Sequence, residues 1–124
     1  MEIITDFNNY INIIFNKIEL LDNDFEIQLH HKYLKTIMHQ KPDHIIKEYY
    51  KYLYPYSQSI YSGDENFFFN LNYSEVFGIN DNGLSSIFKF TNKWKQLNTT
   101  DKHEILNLLQ IITLLSEKYN KFIS

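Results

Sequence analysis

"TDKHEILNLLQIITLLSEKY", Thr100 to Tyr119, decides the fold. Ile105, Leu108, Leu109, Ile112, Leu115 and Tyr119 recur at helical spacing and fall on one face. Leu106, Ile111 and Leu114 widen that stripe. A helix apolar over so much of its circumference belongs at the centre of a helical globule or at a subunit interface. Asp101 and Glu104 have the spacing of an N-terminal capping box, with Asp in place of Ser or Thr.

The rest of the chain reads the same way. Thr5 or Asp6 is placed to cap a first helix whose Phe7, Ile11, Ile14 and Ile18 share a face, with Tyr10 beside them. "LDND", residues 21–24, is a turn, and Asp24 is placed to cap the next helix. Ile27, Leu34, Ile37 and Met38 follow at helical spacing. Phe25, Ile27 and Leu29 also alternate as in a strand, but a lone strand has no partner, so helix is the better reading. Pro42 suits the first turn of a third helix with Ile45, Ile46, Tyr49, Tyr50 and Leu53 as its apolar face. Pro55 stops that helix, and one or two further turns are expected over Tyr56 to Tyr61. Gly63 ends them, and Asp64 is placed to cap "ENFFFNL", residues 65–71. Asn82-Gly83 is a hairpin dipeptide, but Leu84, Ile87, Thr91 and Trp94 around it keep a helical spacing. A helix is expected from about 84 to 97. The fold class is therefore all-α: one compact domain over 1–124, a bundle of five or six helices with the C-terminal helix central.

Composition narrows the function. The 124 residues include no cysteine, alanine or arginine, while Ile, Asn, Lys, Phe and Tyr dominate. The abundant residues have AT-rich codons and the scarce ones GC-rich codons, so coding bias supplies much of the tyrosine and asparagine. Without cysteine, disulfides and thiolate metal sites are excluded. Without arginine, no side chain grips phosphate or guanine in bidentate fashion. Residues 1–20 carry Glu2, Asp6 and Glu19 in an interrupted apolar pattern, unlike a signal or transit peptide. No apolar run approaches the ~20 residues of a membrane helix, so a cytoplasmic protein without membrane contact is expected. Charge alternates along the chain. Residues 1–29 hold six acids and one lysine, and residues 30–52 hold five lysines, two acids and four histidines.

Two stretches invite a functional reading. "HHKYLKTIMHQKPDH", residues 30–44, holds four of the five histidines. His30 and His31 diverge by about 100° on a helix, His39 lies eight positions beyond His31, and no His-Glu-x-x-His pattern is present. They read as partly exposed positions on a basic helix pair, with no metal and no cofactor implied. "YYKYLYPYSQSIY", residues 49–61, carries six tyrosines. Tyr49 and Tyr50 have a core role at helical spacing. Tyr52, Tyr54 and Tyr56, with Phe67, Phe68 and Phe69, are the candidate protein interface, since three consecutive phenylalanines sweep too wide an arc to be buried together. The alternative is nucleic-acid binding through Lys32, Lys35, Lys41, Lys47 and Lys51 interleaved with tyrosine. The region 80–83 fails as a calcium loop because Lys89 falls where the terminal glutamate belongs. "GLSS", residues 83–86, lacks the second glycine of a nucleophile elbow, and three scattered glycines make no phosphate loop. No catalytic constellation is found.

"YP" at 54–55, "SGDENFF" at 62–68, Trp94 and the Leu-rich 100–119 helix together resemble short helical proteins of large nucleocytoplasmic DNA viruses of the mimivirus-like kind. The resemblance covers about residues 45–122 and lies in packing features. It implies a viral, host-cytoplasmic setting and no reaction. The expected function is a non-enzymatic interaction or scaffold protein that binds a protein partner or itself.

Overall fold

The computed structural model describes residues 1–21, 25–64, 66–67, 76 and 97–124, and every regular element among them is helical. Asp24, Glu65, Phe68, Phe69, the Asn82-Gly83 dipeptide and the helix expected over 84–97, Leu97 apart, lie outside these residues. Among the described residues four helices have ten residues or more: α1 (Glu2–Leu21), α2 (Phe25–Gln40), α3 (His44–Leu53) and α5 (Thr99–Ile123). A 3-10 turn (Tyr54–Tyr56) and the short α4 (Ser57–Ser62) follow α3.

Each boundary has a local cause. Helix α1 begins earlier than the Thr5 or Asp6 cap predicts. Ile3 and Ile4 pack partly on the core, which rewards an extra turn, and the Thr5 hydroxyl donates to the Met1 carbonyl at 3.2 Å. Residues 25–29 are helical, not a strand. Pro42 and Asp43 form the turn before α3 rather than its first turn. Asp43 makes no capping bond and pairs instead with Lys47, at 2.8 Å. Pro55 sits in the first turn of the 3-10 segment, where its missing N–H costs nothing. The cap of α5 is Asn98, whose side-chain oxygen accepts from the Asp101 N–H at 2.8 Å. Asp101 and Glu104 are turned to Lys17 of α1 instead, the former at 2.9 Å. The Lys17 ammonium is held charged by the two carboxylates, Glu104 first.

Gly63 closes α4 in the left-handed conformation, φ 70°. A Cβ there would stand 3.0 Å from Leu106 Cδ2. Gly63→Ala should cost about 1–2 kcal/mol from backbone strain, read as a lower urea midpoint, with any side-chain clash adding to it. A neutral result would show that the α4–α5 contact relaxes freely.

Helix α5 packs on α1, α3 and α4; α1 also meets α2, and α2 meets α3. Phe7, Ile11, Ile14, Phe15 and Ile18 of α1 are fully buried, as are Ile45, Ile46, Tyr49 and Leu53 of α3. Each such side chain contributes roughly 1.5–3 kcal/mol from its burial. On α5 the buried line is Ile105, Leu109, Ile112 and Tyr119, with Thr113 and Ser116 among them. Leu108 and Leu115 flank it half-buried. Leu114 is 45% exposed, so the apolar stripe is narrower on that side than the spacing predicts. The two buried hydroxyls are satisfied within the helix: Thr113 donates to the Leu109 carbonyl and Ser116 to the Thr113 carbonyl, both at 2.7 Å. Tyr49 reaches Thr113 Oγ1 from α3, also at 2.7 Å. Because the Thr113 proton is committed to Leu109, Tyr49 is the donor.

Candidate functional site

The tyrosine tract wraps from α3 through the 3-10 turn to α4, and its side chains divide by partner. Tyr49 is core, in edge contact with Phe7 at 5.6 Å between ring centroids. Tyr50 stacks on Tyr54 at 4.5 Å, one turn on. The Tyr54 and Tyr61 hydroxyls converge on Glu117 of α5, donating to its two carboxylate oxygens at 3.4 and 3.1 Å. Lys121 reaches the same carboxylate at 3.4 Å. Gln110 fastens the next stretch, donating to the carbonyls of Ile60 and Tyr61 at 3.2 and 3.0 Å. Tyr56 lies against Phe67 at 5.4 Å, and Asp64 accepts from the Asn66 N–H at 3.0 Å, as its capping position suggests. Tyr52 has the Lys51 ammonium 5.1 Å above its ring. Tyr52, Tyr54, Tyr56 and Phe67 are all half-buried.

The electrostatics of the tract follow from these partners. Glu117 is held below the usual carboxylate range, chiefly by the Tyr61 hydrogen bond. Burial, reinforced by Glu117, pushes the Tyr61 hydroxyl up to about 12. The Tyr54 hydroxyl moves the same way for the same reasons, and burial raises Tyr49 further. At neutral pH the tyrosines are therefore neutral donors. The carboxylate is already surrounded by donors, an arrangement that suits neither a general base nor a nucleophile.

The lysines of the alternative site are exposed but spread over several elements. Lys32 and Lys35 lie on α2, Lys41 before the turn, and Lys47 and Lys51 on α3. Lys47 is paired with Asp43 and Lys51 with the Tyr52 ring.

The histidines correct the sequence reading at one position. His39 is exposed, and His30 and His44 are half-buried. His31 is only 3% exposed. Its Nδ1 lies 2.8 Å from Glu19 Oε1, and its Nε2 lies 3.1 Å from the Asn12 side-chain amide oxygen. Its ring stacks on Phe15 at 4.8 Å. Desolvation holds His31 below the ordinary imidazole value despite the opposing pull of Glu19, and Lys35 adds to the lowering. A neutral ring donates from Nδ1 to Glu19 and accepts at Nε2 once the Asn12 amide is turned over to present its NH2. The signal was present in the sequence. Ile27, His31 and Leu34 are at buried-face spacing on α2, and Asn12 and Glu19 are seven apart on one face of α1.

Among the described residues no group of three or more His, Cys, Asp or Glu side chains is placed to hold a metal. An open cleft of about 500 Å³ runs along α5, lined by His103, Glu104, Leu106, Asn107 and Gln110. Glu104 is turned to Lys17 and Gln110 to the α4 carbonyls, so these two polar groups of the cleft are engaged in holding helices together, while His103 and Asn107 are exposed. No family model, curated protein or solved structure matches the chain. No described helix is long and apolar enough to cross a membrane.

Proposed function

We propose that this protein is a non-enzymatic interaction or scaffold protein, viral in origin and working in the host cytoplasm. In this reading the whole chain is one bundle of five or six helices with α5 at its centre. The observation that carries it is the tyrosine tract, whose rings stay half-exposed while Glu117, Gln110 and Phe67 hold the segment in place. Rings fixed in advance lose little freedom on binding, and tyrosine offers apolar area with a hydrogen-bonding tip. The partner is a protein, which includes a second copy of this chain.

The test is affinity capture from the source cells with tagged protein, run with and without nuclease. The wild-type chain should hold defined protein partners through nuclease treatment. The Tyr52→Ser, Tyr54→Ser and Tyr56→Ser triple variant should lose them while keeping its helical circular dichroism. Loss of helicity instead would assign these tyrosines to the core and remove the proposed surface.

A second reading is nucleic-acid binding through Lys32, Lys35, Lys41, Lys47 and Lys51. The Lys51–Tyr52 contact favours it, because a cation beside an aromatic ring is the pairing such sites use. It requires affinity that falls steeply with salt and partners that vanish with nuclease. Binding indifferent to salt would end it.

A further inference from the structure

We propose that Asn12, His31 and Glu19 form a proton-operated switch inside the α1–α2 contact: the Asn12 amide turns over as the His31 ring takes up or gives off a proton, and the contact stays closed in both states. This switch is remote from the tyrosine tract, so it stands or falls independently of the function proposed above. Its basis is what the two ring nitrogens face. Nδ1 lies 2.8 Å from Glu19 Oε1, and Nε2 lies 3.1 Å from Asn12 Oδ1. At such distances each nitrogen–oxygen pair needs a proton between its two atoms. An imidazole ring carries protons on both nitrogens only when it is charged. With the amide oxygen inward, the site is thus complementary to the imidazolium. With the amide turned over, its NH2 donates to a bare Nε2. The site is then complementary to the neutral ring with its proton on Nδ1.

The surroundings decide which part moves. The ring is buried and stacked on Phe15, 15° from parallel. Turning the ring over would carry both nitrogens away from their partners. Turning the amide over exchanges two groups of nearly equal size, and Asn12 is only half-buried. The charged groups that act on the ring are Glu19 from α1, which favours the proton, and Lys35 on α2 itself, which opposes it. Among the described residues α3, the other helix packed on α2, brings no charged group to it. Desolvation is the larger opposing influence, so the proton is taken up on the acid side of 6.5, and at neutral pH the amide presents its NH2. A buried histidine with a fixed partner leaves a polar group unpaired in one of its two forms, which is costly. An amide serves both forms. Proton uptake therefore changes the charge between α1 and α2 by one without parting the helices.

Nitrogen NMR of the isotope-labelled full chain across a pH titration tests the switch. At neutral pH the His31 ring should carry its proton on Nδ1. On acidification the side-chain NH2 signals of Asn12 should move with the same midpoint as the His31 ring nitrogens, while the helical spectrum persists. Those of Asn8, whose NH2 donates to the Pro42 carbonyl at 2.9 Å, should not follow that midpoint. Two variants set the sign. Asn12→Asp offers only acceptors and should raise the His31 midpoint, with proton affinity at least about tenfold higher. Asn12→Leu offers neither donor nor acceptor. It should lower the midpoint by about as much, because the charged ring loses an acceptor. Asn12 signals indifferent to the His31 midpoint would overturn the proposal. So would a neutral ring protonated on Nε2, or a His31 that titrates only as the helical spectrum collapses. Equal midpoints in the unmodified chain and both variants, with helicity retained, would overturn it too. The titration of the unmodified chain decides even where a variant fails to fold.

Discussion

Tyr49→Ala should cost about 3–5 kcal/mol, the range for deleting a large aromatic from a packed core. The ring is fully buried between Phe7 and α5, so its loss leaves a void lined by three helices. That is a large share of the roughly 5–15 kcal/mol by which a domain is usually stable. Urea unfolding followed by circular dichroism measures it. Tyr49→Phe separates the ring from its hydroxyl. It keeps the packing and removes one hydrogen bond, at about 0.5–1.5 kcal/mol. The Thr113 hydroxyl still donates to the Leu109 carbonyl, so no orphaned donor is left. Tyr52→Ala is the control, since Tyr52 is half-buried at the surface. If Tyr49→Ala cost no more than Tyr52→Ala, the α3–α5 packing described above would be wrong.

Acidification should loosen the α1–α2 hairpin through His31. Its folded-state value lies below the ordinary 6.5 of imidazole. Between that lowered value and 6.5 the unfolded chain binds a proton that the folded chain refuses. Stability from the neutral ring is therefore fully present above about pH 6.5 and is lost as pH falls towards the folded value. Asp43 and Glu117 are also held below their ordinary values, 3.8 and 4.5, so their losses come at more acidic pH. The interval between is diagnostic for His31. His31→Gln should flatten the stability profile there while keeping polar contacts to Glu19 and Asn12. His31→Ala should cost about 1–3 kcal/mol even at neutral pH, because it strips partners from buried polar groups. Its profile should be flat in the same interval. A flat wild-type profile would show that Glu19 cancels desolvation, and one that rises on acidification that Glu19 outweighs it; either would overturn the prediction.

Much of the fold could be read from spacing. Phe7, Ile11, Ile14 and Ile18 announce the inner face of α1, and Gly63 announces the end of α4. Most of what escaped depends on a second helix. Phe15 lies about 100° from Ile14 and is buried because its ring stacks on His31 of α2. His31 looks like a surface residue until Asn12 and Glu19 are placed beside it. Thr113 and Ser116 look like breaks in the apolar stripe of α5, yet their hydroxyls close on the helix's own carbonyls. Asp101 and Glu104 match a capping box in the sequence, but Lys17, far away in the chain, claims both, and Asn98 caps instead. Of the candidate interface, the identity of the tyrosines was legible and their division was not. Nothing in the local pattern foretells that Tyr54 and Tyr61 meet on one carboxylate of α5.

The seam between α1 and α5 governs the order in which this protein can be made. Its contacts join residues about eighty positions apart, as Lys17 with Asp101 shows. A nascent chain that has emerged only as far as α4 can set α2 and α3 against its first helix but still lacks α5. Until Ile105, Leu109 and Ile112 leave the ribosome, α1 has no α5 to pack against. Contacts this far apart in the chain must close a long loop before they form, and a face left waiting is open to misassociation. Emergence of α5 is therefore the step that lets the face of α1 turned to it close.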